Sequence, residues 1–172
     1  MTIELNDELK KIIEARHHDP FSFLGKHQVK GRLQVRAFLP YARQVLLSGP
    51  NSPMKQVADT RVFYWEGDPS SLQEPYLFNW TDAENKQHQE YDPYAFPAQI
   101  SDDDLYYFGQ GKHWRAQNFM GANPLVVNGI AGILFAVWAP NAERVSVVGN
   151  FNLWDGRRHP MRSRGDSGVW EL

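Results

Sequence analysis

The chain has 172 residues, 18 basic against 20 acidic side chains, a formal net charge of -2 and no cysteine. With 42% hydrophobic and 22% charged residues it falls in the ordinary globular range, which excludes disordered and collagen-like chains. No apolar run approaches the ~20 residues of a membrane-crossing helix, and disulfide staples and thiolate metal sites are impossible. The near-neutral balance argues against a nucleic-acid binder, which would carry a concentrated basic surface. The start, MTIELNDELKK, has no apolar signal region and reads as cytoplasmic. Six Trp, seven Tyr and ten Phe make a surplus of rings, which either fill cores or stack on flat ligands.

Leu5, Leu9, Ile12 and Ile13 recur at helical spacing, with Asn6 or Thr2 as cap and Asp19-Pro20 as stop. From about residue 30 the period falls to two. Leu33, Val35 and Ala37 alternate with Gln34 and Arg36, Pro40-Tyr41-Ala42 turns the chain, and Val45-Leu46-Leu47 runs to a second turn at Gly49-Pro50-Asn51. Strands are predicted at 62 to 66 and 76 to 81, and weaker ones at 55 to 58 and 87 to 91. Short strands at this spacing indicate an antiparallel sandwich.

The rhythm is lost over residues 92 to 118, where Asp92-Pro93-Tyr94 breaks the last strand. Asp102-Asp103-Asp104, then Gly109, Gly111 and Lys112, read as an exposed connection or a short helix. Strands resume at Ile130, with 134 to 138, 144 to 148 and 168 to 172. The expected organisation is a β-sandwich domain with a leading helix at 1–108, a linker at 109–118 and the first part of a second domain at 119–172.

Residues 33 to 49, LQVRAFLPYARQVLLSG, align without gaps with residues 133 to 149, ILFAVWAPNAERVSVVG. Pro40/Pro140, Ala42/Ala142, Val45/Val145 and Gly49/Gly149 coincide, which predicts two copies of one sandwich. A sandwich of this kind takes ~100 residues, so the second copy is expected to be incomplete and the chain to be the front of a longer protein. The fold class is therefore mainly β, as tandem immunoglobulin-like sandwiches with the second incomplete and one short N-terminal helix.

No catalytic constellation is present, and no cofactor or metal is expected. His17-His18-Asp19 lacks further ligands, and the Asp102 triplet lacks the spaced oxygens of a calcium loop. Arg157, Arg158, Arg162 and Arg164 read as a solvated or interdomain face rather than a phosphate site. The segment GNFNLWDGRRHPM at 149 to 161 is the most informative. Phe151 and Trp154 sit among turn formers, with Phe151 expected in the core. Trp154 is either a plug folded onto the sandwich or a platform on which a pyranose stacks while Asn or Asp bonds its hydroxyls.

WAPNAERVSVVGNFNLWDGRRHPM at 138 to 161 and SGVWEL at 167 to 172 resemble the start of the family 48 carbohydrate-binding module of bacterial glycogen branching enzymes. HHDPFSFLGKH at 17 to 27, VRAFLP at 35 to 40 and YDPYAF at 91 to 96 are similar to the extra N-terminal domain that precedes that module. The resemblance covers essentially the whole chain and implies a parent that transfers α-1,4-glucan pieces to 6-hydroxyls by retaining chemistry on a (β/α)8 barrel. That barrel is not present, so no catalytic residue is assigned and the chain alone is expected to be inactive. Trp154 and Asn152 match the module's FN-x-W turn and are the candidate substrate-binding residues. Trp138 matches the WAPNA tryptophan, expected in a core or interdomain position. The N-terminal domain lacks the tryptophan turn, and the family suggests for it a role in setting transferred chain length. The implied partners are α-1,4-glucan or glycogen and the parent's own barrel, in a monomeric parent, with no nucleic acid or membrane. The alternatives are a stand-alone glucan-binding module and a debranching or trehalose-releasing relative.

Overall fold

A computed structural model describes residues 6–172. Thr2 and Leu5, read above as cap and first apolar position of the helix, lie outside the described residues. Helix α1 (Asp7–Ile13) starts where the Asn6 side chain accepts a hydrogen bond from the Leu9 amide at 2.9 Å, which satisfies one orphan N–H of the first turn. It stops at Glu14, with Ala15 at φ 53, rather than at Asp19-Pro20. The left-handed turn brings His17 back, so that its Nε2 lies 2.7 Å from Glu8 Oε2.

The chain forms two compact units, one of residues up to His17 with Phe21–Ala95, the other of His18–Pro20 with Phe96–Leu172. The first contains β1 (Gly25–Val29), β2 (Arg32–Phe38), β3 (Gln44–Leu47), β4 (Ser52–Pro53), β5 (Lys55–Gln56), β6 (Val62–Gly67), β7 (Leu77–Thr81) and β8 (Gln87–Tyr91). They build two antiparallel sheets, ordered β1-β2-β6-β5 and β4-β3-β7-β8. Leu33, Val35, Ala37, Val45, Leu47, Phe63, Phe78 and Trp80 fill the space between the sheets.

Period-two alternation in β2 predicts an exposed outer face, and the structure differs. Leu9 and Ile12 of α1 pack on that face with Phe23, Phe38, Val62 and Tyr64. Gln34 is therefore buried and donates to Glu66 at 2.9 Å, while the Arg36 guanidinium lies over the Phe23 ring. Removing two aliphatic side chains such as Leu9 and Ile12 from water is worth roughly 1.5–3 kcal/mol each, which holds the short helix that could not stand alone.

The second unit opens with α2 (Asp102–Gly109), capped by Ser101, whose hydroxyl oxygen accepts from the Asp104 amide at 3.1 Å. The acidic triplet is its first turn, where the helix dipole favours negative charge. One sheet follows, ordered β11-β12-β10-β9, from β9 (Gly121–Val127), β10 (Ile130–Trp138), β11 (Arg162–Ser163) and β12 (Val169–Glu171). Leu105, Ile100 and Phe119 pack with Leu134, Ala136 and Val169, and Phe108 and Ala116 border them. The strand predicted at 144 to 148 is reduced to a bridge between Ser146 and Pro160, flanked by Val147 N–H to His159 O and Met161 N–H to Val145 O. Its counterpart β3 is paired on both sides, by β4 and β7, whereas this segment has a partner on one side among the described residues.

The duplication runs much further than residues 33 to 49. Glu8 bonds His17 as Asp104 bonds His113, at 2.7 and 2.8 Å. Phe23-Leu24-Gly25 answers Phe119-Met120-Gly121, with both glycines at positive φ, 84 and 92. Lys30-Gly31 and Asn128-Gly129 close equivalent hairpins with both residues at positive φ. In the Pro-x-Ala turns, Ala42 N–H bonds Leu39 O and Ala142 N–H bonds Ala139 O, each at 3.1 Å. Met54 N–H bonds Val45 O and Met161 N–H bonds Val145 O, each at 2.8 Å. Phe38 pairs with Val62 as Trp138 pairs with Val169.

Candidate functional site

The two copies part company between their glycine and their next proline. Three residues separate Gly49 from Pro53, whereas ten separate Gly149 from Pro160, an insertion of seven that contains Phe151, Leu153 and Trp154. A short 3-10 turn at Asn150–Asn152 opens this loop, followed by Leu153 and Trp154 at φ 57 and 59. Two adjacent non-glycine residues in the left-handed region carry strain of about 1–3 kcal/mol each, which the surroundings must hold.

Asn152 does the holding. It is 0% exposed, its Oδ1 accepts from the Gly149 amide at 2.9 Å, and its Nδ2 donates to Val147 O and to His159 Nδ1, both at 2.9 Å. An amide nitrogen only donates, so His159 Nδ1 accepts and the imidazole is neutral. Burial, with the Arg158 charge adding to it, pushes His159 down to about 4, which agrees with that role. A Cβ at Gly149 would lie 2.6 Å from the Phe151 ring, which would have to swing aside.

Trp154 is 67% exposed, and its indole N–H donates to Asn150 Oδ1 at 2.9 Å. The ring is thus fixed by its edge while its faces meet solvent, and it is not folded onto the sheet. Phe151, expected in the core, is exposed instead and meets His159 edge-on at 5.5 Å. The small amide of Asn152 takes the interior position and turns the preceding ring outward. With Leu153 also exposed, the loop presents three large apolar side chains.

Of the two positions expected for Trp138, core or interdomain, the structure excludes the core. Trp138 is 57% exposed where Phe38 is 6%; Val57 and Tyr64, which pack with Phe38, have Arg164 and Glu171 at the equivalent positions of the second copy. The arginine cluster forms no open anion site. Arg157 chelates Asp155, with Nε and Nη2 at 2.9 and 2.7 Å, and Arg158 is buried. Arg164 bonds Glu171 at 3.1 Å, Asp102 at 2.9 Å and Ile100 O at 2.6 Å. Arg162 bonds Phe96 O at 2.6 Å. Glu171, itself buried, also accepts from the Gln99 and Ile100 amides. Sequence reasoning missed this carboxylate because it lay inside an apolar strand pattern.

A duplicated β-domain whose second copy projects an aromatic loop defines a pair of immunoglobulin-like modules, the second of the carbohydrate-binding type. The family model for carbohydrate-binding module 48 (isoamylase N-terminal domain) matches residues 119–172, and that for the alpha-1,4-glucan branching enzyme GlgB N-terminal domain matches residues 5–94. The chain belongs to the GlgB N-terminal domain family. It is 52% identical over 98% of its length to the 1,4-alpha-glucan branching enzyme GlgB of Methylococcus capsulatus and covers 23% of that protein. The proteins of the same name from Nitrosococcus oceani and Cellvibrio japonicus are each 46% identical, over 100% and 98% of this chain. The chain spans about a quarter of the length of these relatives.

Proposed function

We propose that the chain is the N-terminal part of a 1,4-α-glucan branching enzyme, the protein that makes α-1,6 branches by glucan chain transfer. The similarity over nearly the whole chain to proteins of that name carries this reading. Within it, the chain supplies glucan-binding modules, the retaining chemistry belongs to a barrel outside these residues, and the chain alone does not branch. Glucan is the ligand, and Trp154 stacks on it. A ring fixed at its edge by Asn150 keeps a face for the C–H-rich side of a pyranose. Asn152 has its Oδ1 and Nδ2 engaged inside the loop, so it acts as a positioning residue that keeps Leu153 and Trp154 in their strained turn.

Ile133 and Val137 are exposed on the face whose equivalents, Leu33 and Ala37, are buried between the sheets of the first copy. In the longer protein this face is covered by further chain. The reading is tested in the full-length enzyme by migration through a native gel containing amylose. Trp154→Ala is expected to lose most of the retardation, and migration equal to the unaltered enzyme would refute the platform.

A further inference from the structure

We infer that the outer face of sheet β4-β3-β7-β8 in the first domain is a second glucan-binding surface, separate from the Trp154 loop. The choice of ligand rests on the glucan reading above, and the surface rests on its own geometry. Strand register aligns Leu46, Asn79 and Gln89 in one row across the sheet, and Gln44, Thr81 and Gln87 in the next. Outward and inward positions alternate strictly, with Val45, Leu47, Phe78 and Trp80 pointing to the core. A cleft of about 800 Å³ takes in these two rows and extends past Asn51 and Pro53 to Met54, Gln56 and Phe63 at the side where β5 and β6 of the other sheet meet it, within the ~300–1,000 Å³ of ligand sites.

The chemistry of the lining is selective. No carboxylate and no lysine lines the cleft, and Arg43 is its one guanidinium, in a chain with 22% charged residues. β8 is an edge strand, and exposed edges ordinarily carry charges that deter pairing with other chains. Here the outward positions of that edge inside the cleft are two glutamines. Amide side chains both donate and accept, as sugar hydroxyls do, and they offer nothing to an ionic ligand. Gln89 Nε2 donates to Asn79 Oδ1 at 2.7 Å, which presets that pair and leaves the Gln89 carbonyl and the Asn79 NH2 to a ligand. Leu46, beside Asn79, adds an apolar spot for a pyranose face. The Trp80 and His88 rings, stacked at 4.0 Å with His88 bonded to Asp82, stiffen the sheet beneath. A neutral chain of hydroxylated rings fits this lining, and an anionic polymer does not.

The test is titration of the 15N-labelled 172-residue chain with maltoheptaose to millimolar concentration. The side-chain amides of Gln44, Asn79, Gln87 and Gln89 are expected to shift together. In Asn79→Asp/Gln89→Glu these shifts should weaken at least fivefold in apparent affinity, while the response of the Trp154 indole N–H persists and the β2 and β6 amides stay unmoved. Shifts confined to the Trp154 loop would overturn the second surface and leave the first reading standing. No shift at either place would overturn both. Concentration-dependent shifts along β8 without sugar would mean pairing of two copies and would also overturn it.

Discussion

The two domains repeat one plan from the helix that covers the first sheet to the Pro-Met step that leads into β5 and β11, yet they differ in what they expose. In the first copy the turn after Gly49 is short, and the sheet beside it offers a face of amides. In the second copy seven added residues lift Trp154, Leu153 and Phe151 into solvent, and a buried Asn152 pays for the strain of that lift. The scaffold is shared, and the exposed rings of the second copy lie in one insertion.

The contrast also separates how the copies are held together. The first packs Val57 and Tyr64 where the second places Arg164 and Glu171. Breaking the second arrangement is the largest expected effect. Glu171→Ala takes a partner from the partly buried Arg164, leaving it Asp102 and Ile100 O, and strips the acceptor from the Gln99 and Ile100 amides, at a cost of about 3–5 kcal/mol. Urea unfolding followed by amide resonances of β10 should show it, with β2 and β6 unchanged.

Next in size is an opposite response to pH. In the first domain Asp92 is buried, and that burial pushes its carboxyl up to about 7 against the donors Tyr76 OH and Tyr94 N–H. Between its ordinary 3.8 and about 7 the native state holds a proton that the unfolded chain has lost. The stability of the first domain therefore falls as pH rises through that window and levels off above it. His159 reverses the sign. Between 6.5 and about 4 the unfolded chain binds a proton that the native loop refuses, so the second domain loses stability on acidification. The effect is at most about 4 kcal/mol for Asp92 and about 3 kcal/mol for His159. Unfolding curves at pH 4.5 and 7.5, read separately for β2 and β10, should cross.

Smaller still is Asn152→Ala, which removes three hydrogen bonds inside the loop and should cost about 2 kcal/mol, seen as a change in Trp154 fluorescence with β12 intact. Asn6→Ala should cost only about 1 kcal/mol, through the lost cap of α1.

Much of this was legible in the sequence. The strand rhythm, the Pro-x-Ala turns and the repeat through Gly49 and Gly149 were all readable. The repeat's continuation into Pro53-Met54 and Pro160-Met161 was equally present but hidden by the insertion between them. β9 escaped because Pro124 interrupts it, which an edge strand tolerates, although Asn128-Gly129 flanked by valine and isoleucine signals the hairpin. The interior of the loop could not be read, because an asparagine among turn formers looks like a surface residue, and only its three partners show that it is buried while Phe151 is not. Two-sided burial of β2 was likewise invisible, since it depends on α1 arriving from elsewhere in the chain.

The most direct measurement is a loop exchange: residues 150–159 replaced by the Pro50-Asn51-Ser52 of the first copy, in the 172-residue chain titrated with maltoheptaose. The account predicts that the β10 and β12 resonances keep their positions, that the sugar response of the second domain disappears, and that the amide face of the first domain still responds. An undiminished sugar response in the second domain would contradict it.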